Sequence, residues 1–225
     1  MKGIVNIFGG IGTKINYFKY AIEVYKQHDF EIQMYESKNM SSLIPKQYKK
    51  NVDKSYNYLV KENIDKMSKI PKIIHTNSGG LWSGLELNAK LKHNGFIIEA
   101  GPLSCYNLEK FSIIIKNKFM VPIFLTNYLM RLREIPLIQY NPEWFEKYER
   151  QILKLPTTTI LNGDKDDYLD REYIKKFVSQ LQEKQIEVNN VNFKAGTHHR
   201  IAKTDIELYQ KTIDEMCINA KKSVI

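Results

Sequence analysis

The sequence is short of several things, and each shortage narrows the field. Only two cysteines, Cys105 and Cys217, occur in 225 residues. That is too few for a disulfide framework, and no CxxC or metal-type spacing is formed. Cysteine usage therefore points to a reducing compartment, with a cytoplasmic location as the expectation. No apolar run reaches the roughly 20 residues that span a bilayer. The most apolar stretch, 119–132, is interrupted by Pro122, Asn127 and Arg131. The N-terminal apolar run breaks at Gly9-Gly10, too early for a signal peptide. No long basic block and no nucleic-acid motif accompanies the formal charge of +9, which comes from 34 Lys+Arg against 25 Asp+Glu. That excess reads as a lysine-rich, solubilising surface and not as a nucleic-acid footprint. Internal repeats and low-complexity segments are also lacking. So is the dinucleotide fingerprint G-x-G-x-x-G, because Gly10-Ile11-Gly12 runs on into Thr13-Lys14-Ile15. Glu36 lies near the end of the second predicted strand but does not restore it.

What is present suffices for one domain over 1–225. Hydrophobic residues make up 43% of the chain and the mean hydropathy is -0.42, a buried core with a solvated surface. Short apolar runs alternate with longer amphipathic ones. Strands are predicted at 3–8, 30–35, 72–77, 96–100, 157–162 and 188–193. Helices are predicted at 13–27, with Thr13 as N-cap, and at 46–68, 78–93, 168–184 and 204–222. Strand–helix–strand units at this spacing imply a mostly parallel sheet of about six strands, covered by helices on both faces. Residues 103–155 break the rhythm. They carry aromatics and Pro122, Pro136 and Pro142, and read as helical segments inserted as a cap, one of them at 143–153.

Three segments carry chemistry. In Ile73-Ile74-His75-Thr76-Asn77-Ser78-Gly79-Gly80-Leu81 an apolar strand runs into a serine and then a helix. A nucleophile elbow has this context, because its tight turn needs small residues two places either side of the serine. Gly80 supplies one of them, and Thr76 stands where the other glycine is usual. The bland alternative is a glycine-rich turn with an incidental serine, or a phosphate-binding turn. A serine on an elbow needs two N–H donors for an oxyanion. Gly79 follows it, and Gly10 lies on the loop after the first strand. The second segment is Leu161-Asn162-Gly163-Asp164-Lys165-Asp166-Asp167, an apolar strand leading into three aspartates. One of these could orient an imidazole, and one could cap the next helix. The third is Phe193-Lys194-Ala195-Gly196-Thr197-His198-His199-Arg200, with two adjacent histidines after the last strand. His28 and His93 sit near helix ends and read as surface or capping residues. His75 lies inside a strand and reads as a packed or hydrogen-bonded core residue.

Each segment falls at the C-terminal end of a predicted strand, where active sites of open α/β sheets lie. Their order, Ser78, then Asp164–Asp167, then His198/His199, is that of the α/β-hydrolase triad. Over nearly its whole length the chain resembles the α/β-hydrolase superfamily, lacking the first two strands of the full fold. More narrowly it looks like the PaxU-like family that includes transmembrane protein 53. That likeness is carried by Phe8-Gly9-Gly10, Tyr17-Phe18-Lys19-Tyr20, Asn77-Ser78-Gly79-Gly80, Glu99-Ala100-Gly101-Pro102 and His198-His199-Arg200 followed by Tyr209. Gly10 stands where that family often has tryptophan, and its H-V-x-H is not kept.

The superfamily resemblance implies a three-layer fold and acyl transfer to water, with Ser78 as nucleophile. Its strand-G-x-x-D frame implies Asp166 as the acid, with Asp164 and Asp167 as alternatives. Its G-x-H frame implies His198 as the base, with His199 as runner-up. Gly10 and Gly79 would form the oxyanion hole, and the 103–155 cap would lie over an apolar acyl substrate. No metal or cofactor is called for. The expected partner is a small-molecule or acyl-chain ester or thioester, with no nucleic acid. Peripheral membrane contact through the basic surface and 119–132 stays open, and oligomeric state is undetermined. A non-catalytic hydrolase-fold protein that binds a ligand or partner is the rival from another class.

Overall fold

Six apolar runs form six strands, and every pairing between them is parallel. The computed structural model describes residues 2–11, 13–37, 45–62, 69–101, 150–166, 171–198 and 200–224. The strands are β1 (Gly3–Ile11), β2 (Phe30–Ser37), β3 (Lys72–Asn77), β4 (Gly95–Glu99), β5 (Thr158–Gly163) and β6 (Val188–Phe193). They lie in the order β2-β1-β3-β4-β5-β6. The described helices are α1 (Lys19–Gln27), α2 (Pro45–Lys61), α3 (Leu81–Lys90), α4 (Arg171–Glu183), α5 (Ile201–Thr204) and α6 (Ile206–Lys222). Short 3-10 turns at Ile15–Phe18 and Ser78–Gly80 lead into α1 and α3.

Alternate strand residues face opposite sides, so each buried strand feeds two cores. On one side Ile4, Phe8, Ile74, Phe96, Ile98 and Ile160 pack with side chains of α2, α3 and α4. On the other Val5, Ile7, Ile73, Ile97 and Leu161 pack with α1 and α6. This parity puts His75, Asn77 and Glu99 on the α1/α6 side, and the register aligns Asn77 with Glu99 across β3 and β4. The central strands β3, β4 and β5 are buried throughout, whereas β6 at the edge exposes Asn189, Asn190 and Asn192. Asp205 caps α6 by accepting from the backbone N–H of Leu208 at 2.9 Å.

Several local expectations change. Thr13 does not cap the first helix, which opens with the 3-10 turn after Lys14. The Thr13 hydroxyl instead donates to Asn77 Oδ1 at 3.0 Å. The second helix runs Pro45–Lys61 and not 46–68, with proline at its first position, where a missing N–H costs nothing. The third helix ends at Lys90, so the chain turns back before His93. His93 is therefore buried, 1% exposed, and not at the surface. Burial lowers its pKa to about 3. Of the expected 103–155 cap, residues 103–149 lie outside the described residues. Residues 150–152 are helical, and Ile152 and Leu155 pack into the α2/α3/α4 core.

Candidate active site

The loops that leave the C-terminal ends of β1, β3, β5 and β6 meet at one edge of the sheet. β3 ends at Asn77 in extended geometry, and Ser78 then takes φ 48, a left-handed conformation that is uncommon for a residue with a side chain. The backbone reverses from strand to helix within three residues and presents the serine at the top of the turn. Small neighbours make this turn fit. A Cβ on Gly80 would stand 2.0 Å from the Phe8 carbonyl oxygen, and one on Gly10 would stand 2.6 Å from Ser78 Cβ. Thr76 is accommodated from the helix side, where a Cβ on Gly84 would come within 2.4 Å of its Cγ2. The threonine hydroxyl donates to the Ile97 carbonyl at 2.9 Å. The space usually given by a glycine two before the serine is thus supplied six residues after it, a signal not read in the sequence.

The β5 and β6 loops approach just as closely. A Cβ on Gly163 would meet the Gly196 carbonyl oxygen at 2.3 Å. The Asp164 N–H donates to the Phe193 carbonyl, and the Lys165 N–H donates to the Gly196 carbonyl. This lacing sets the aspartates beside the histidine loop. His198 Nδ1 lies 2.9 Å from Asp166 Oδ2, and His198 Nε2 lies 2.9 Å from Ser78 Oγ. The Asp166 side chain is fully buried, and that of His198 is 13% exposed. A carboxylate only accepts, so Nδ1 carries the proton toward Asp166 and Nε2 turns its lone pair to the serine hydroxyl. Such an imidazole can take a proton from the serine and be stabilised as it does so.

Asp164 is half-buried and faces Arg171, whose guanidinium donates to the Asp164 carbonyl and lies 3.6 Å from its carboxylate. The described contact of its carboxylate is with Arg171, whereas the carboxyl that meets His198 is that of Asp166. Asp167 and His199 lie outside the described residues. Gly10 and Gly79 are both buried beside Ser78. The ladder between β1 and β3 ends at Phe8 and Thr76, and the β1–β2 register breaks between Phe8 and Ile11. Gly9 and Gly10 thus bow out of the sheet over the serine turn. A Cβ on Gly10 would lie 3.1 Å from the Gly79 nitrogen, so a side chain there would crowd the serine turn. Among the described residues no group of three or more His, Cys, Asp or Glu is arranged to hold a metal ion.

Behind this edge lies a second polar group on the α1/α6 side, to which the sequence reading gave no role beyond a core histidine. His75 Nε2 faces Glu99 Oε2 at 3.0 Å, and its Nδ1 faces the Tyr25 hydroxyl at 2.9 Å. The Tyr209 hydroxyl donates to the same Glu99 oxygen at 2.9 Å. Burial holds the Tyr25 and Tyr209 phenols well above their usual pKa, and the charge of Glu99 adds to it. Tyr17 joins this group to the serine edge. Tyr17 is half-buried, and its hydroxyl accepts from Asn77 Nδ2 at 3.2 Å. Burial, then the charge of Glu99 and a hydrogen bond to it, raise the phenol pKa far above the usual range. Among the described residues Glu99 Oε1 has no hydrogen-bond partner.

By sequence, no protein-family model matches the chain and no curated protein does. By structure, the chain is similar to several esterases and lipases. The Pyrococcus furiosus esterase Pf2001 superposes with a TM-score of 0.66 at 12% identity, covering 98% of this chain and 82% of that one. Carboxyl esterase 2 of the fungus Tuber melanosporum gives 0.64 at 11% identity, covering 100% and 79%. A hormone-sensitive lipase from a metagenome library gives 0.62 at 13% identity, covering 99% and 77%. The fold is that of the α/β hydrolases. Membership of the narrower PaxU-like family has no support from these matches.

Proposed function

We propose that the protein is a serine hydrolase that cleaves an ester or thioester through an acyl-enzyme. The observation that carries this reading is the unbroken line of contacts from Ser78 Oγ through His198 to Asp166, both 2.9 Å. Ser78 Oγ attacks the substrate carbonyl, and its proton passes to His198 Nε2. Asp166 fixes the imidazole and stabilises the imidazolium. The N–H groups of Gly10 and Gly79 receive the oxyanion, an arrangement in which one lost donor typically costs about 3–4 kcal/mol. His198 then protonates the leaving group. In the second half-reaction it takes a proton from water, which attacks the acyl-enzyme, and Ser78 recovers its proton as the acid product leaves.

The aromatic and aliphatic composition of 103–155 suits an apolar acyl or small hydrophobic substrate. The scarcity of cysteine supports action in the cytoplasm, and no helix among the described residues is long and apolar enough to cross a membrane. The esterase and lipase matches favour carboxylic esters over amides as first substrates to try. The test is hydrolysis of p-nitrophenyl acetate, p-nitrophenyl butyrate and an acyl thioester by the wild type and by Ser78→Ala. Turnover by the wild type that disappears in the variant is expected. Turnover that survives in Ser78→Ala, or no turnover of any of the three by folded wild type, contradicts the proposal.

A further inference from the structure

We infer that Tyr17, held by Asn77, is a positioning residue that ties the base loop to the serine turn. This rests on the hydrolase reading of Ser78, His198 and Asp166. Asn77 immediately precedes Ser78, and its amide is fully engaged on the α1/α6 side of the sheet. Its Oδ1 accepts from the Thr13 hydroxyl at 3.0 Å, which reaches the loop after Gly10. Its Nδ2 donates to the Tyr17 hydroxyl at 3.2 Å and to the Glu99 carbonyl at 3.4 Å. The Tyr17 hydroxyl in turn reaches the backbone carbonyl of His198 at 3.4 Å. One asparagine thus joins three of the pieces that must stay in register: the glycine loop, the serine turn and, through one phenol, the histidine backbone.

The chemistry of the phenol suits this role. It receives the Asn77 N–H, so its single proton serves the His198 carbonyl or the Glu99 carboxyl. Burial and the charge of Glu99 keep that proton on the oxygen throughout the working pH range. The phenol therefore stays protonated and does not titrate with the reaction. The Ser78–His198 contact spans 120 residues of sequence, and the Tyr17–His198 contact spans 181. A base carried on a loop at that separation needs an anchor outside its own strand. Asp166 fixes the ring, and Tyr17 fixes the backbone that carries the ring. A misplacement of about 1 Å in a reacting group can cost about 100-fold in rate.

The experiment compares wild type, Tyr17→Phe, Asn77→Ala and the double variant by steady-state ester hydrolysis. It also follows the downfield ring N–H resonance of His198, assigned by its loss in His198→Gln. Tyr17→Phe is expected to lower kcat about 10- to 100-fold with KM changed by less than about threefold. The His198 resonance should shift or broaden while the unfolding transition stays cooperative. The double variant should be no slower than the slower single variant, because both break one link. Unchanged kcat and an unchanged resonance in Tyr17→Phe would overturn the inference, as would multiplicative losses in the double variant. If Tyr17→Phe fails to fold, Thr13→Val loosens Asn77 from its other side and is expected to move the resonance in the same direction. A wild type with no ester turnover defeats the hydrolase reading, while the resonance still decides whether Tyr17 holds His198.

Discussion

Two histidine–carboxylate pairs of nearly equal length lie within the same fold, and they have opposite fates. His198 and Asp166 stand 2.9 Å apart at the edge of the sheet, and His75 and Glu99 stand 3.0 Å apart inside it. The first imidazole keeps 13% of its side chain exposed, and the second keeps none. The decisive difference is the group on the other ring nitrogen. His198 faces a serine hydroxyl on a turn at φ 48. His75 faces the Tyr25 phenol, whose proton burial holds in place. On the proposed reading the same pair is thus a proton-transfer device in one setting, and it is a cross-link between β3, β4, α1 and α6 in the other. A histidine–carboxylate contact does not by itself mark catalysis; what the free nitrogen meets does.

The largest effect should come from breaking the edge pair. His198→Gln or Asp166→Asn is expected to reduce ester turnover by at least about 10^4-fold with little change in unfolding midpoint, measured by steady-state kinetics and urea titration. Breaking the interior pair should do the reverse in kind. Glu99→Ala leaves His75 and Tyr209 without their buried acceptor and should destabilise the fold by about 3–5 kcal/mol in urea unfolding. Any loss of rate per folded molecule should be far smaller than that of the edge variants. A Glu99→Ala protein of wild-type stability would mean that the interior pair is not a cross-link.

His93 sharpens the comparison as a buried histidine whose only described polar contact is a backbone carbonyl. Its Nδ1 donates to the Leu91 carbonyl at 2.6 Å, and its Nε2 has no hydrogen-bond partner among the described residues. Burial lowers its pKa from 6.5 to about 3 in the fold. Between those values the unfolded chain binds a proton that the folded one does not, so stability rises with pH. This contribution is complete above about pH 6.5 and is lost as pH falls through the window toward pH 3. At about pH 4.5 the loss from this group is about 2–3 kcal/mol. His93→Leu should therefore lose less stability than wild type between pH 7 and about pH 4.5, by that amount. Equal acid sensitivity of the two proteins would show that His93 charges freely in the fold.

The fold was legible because short apolar runs built on pairs such as Ile73-Ile74 and Ile160-Leu161 recur between amphipathic helical stretches at strand–helix–strand spacing. Ser78, Asp166 and His198 were legible as candidates because each lies just past the end of such a run. Their meeting depends on the Gly163–Gly196 contact, which spacing alone does not reveal. The interior group was less legible for a related reason. His75 could be read as a core residue from its place in a strand, but its partner is set by pairing register, which aligns β3 with β4 only in three dimensions. Tyr17 and Asn77 lie 60 residues apart, and the short motifs that contain them do not show that they meet. His93 was misread because the apolar periodicity of the third helix does not show that the helix stops at Lys90. Thr76 departs from the glycine usual in the serine motif, and its compensation by Gly84 depends on how α3 packs against β3.

The central claim is that Ser78 is the activated nucleophile, and covalent capture tests it most directly. Folded protein treated with a fluorophosphonate at neutral pH, digested and analysed by mass spectrometry should carry one adduct, on the peptide containing Ser78. Labelling should disappear in Ser78→Ala and slow greatly in His198→Gln. A folded wild type that takes up no label, or an adduct that persists in Ser78→Ala, would contradict the account.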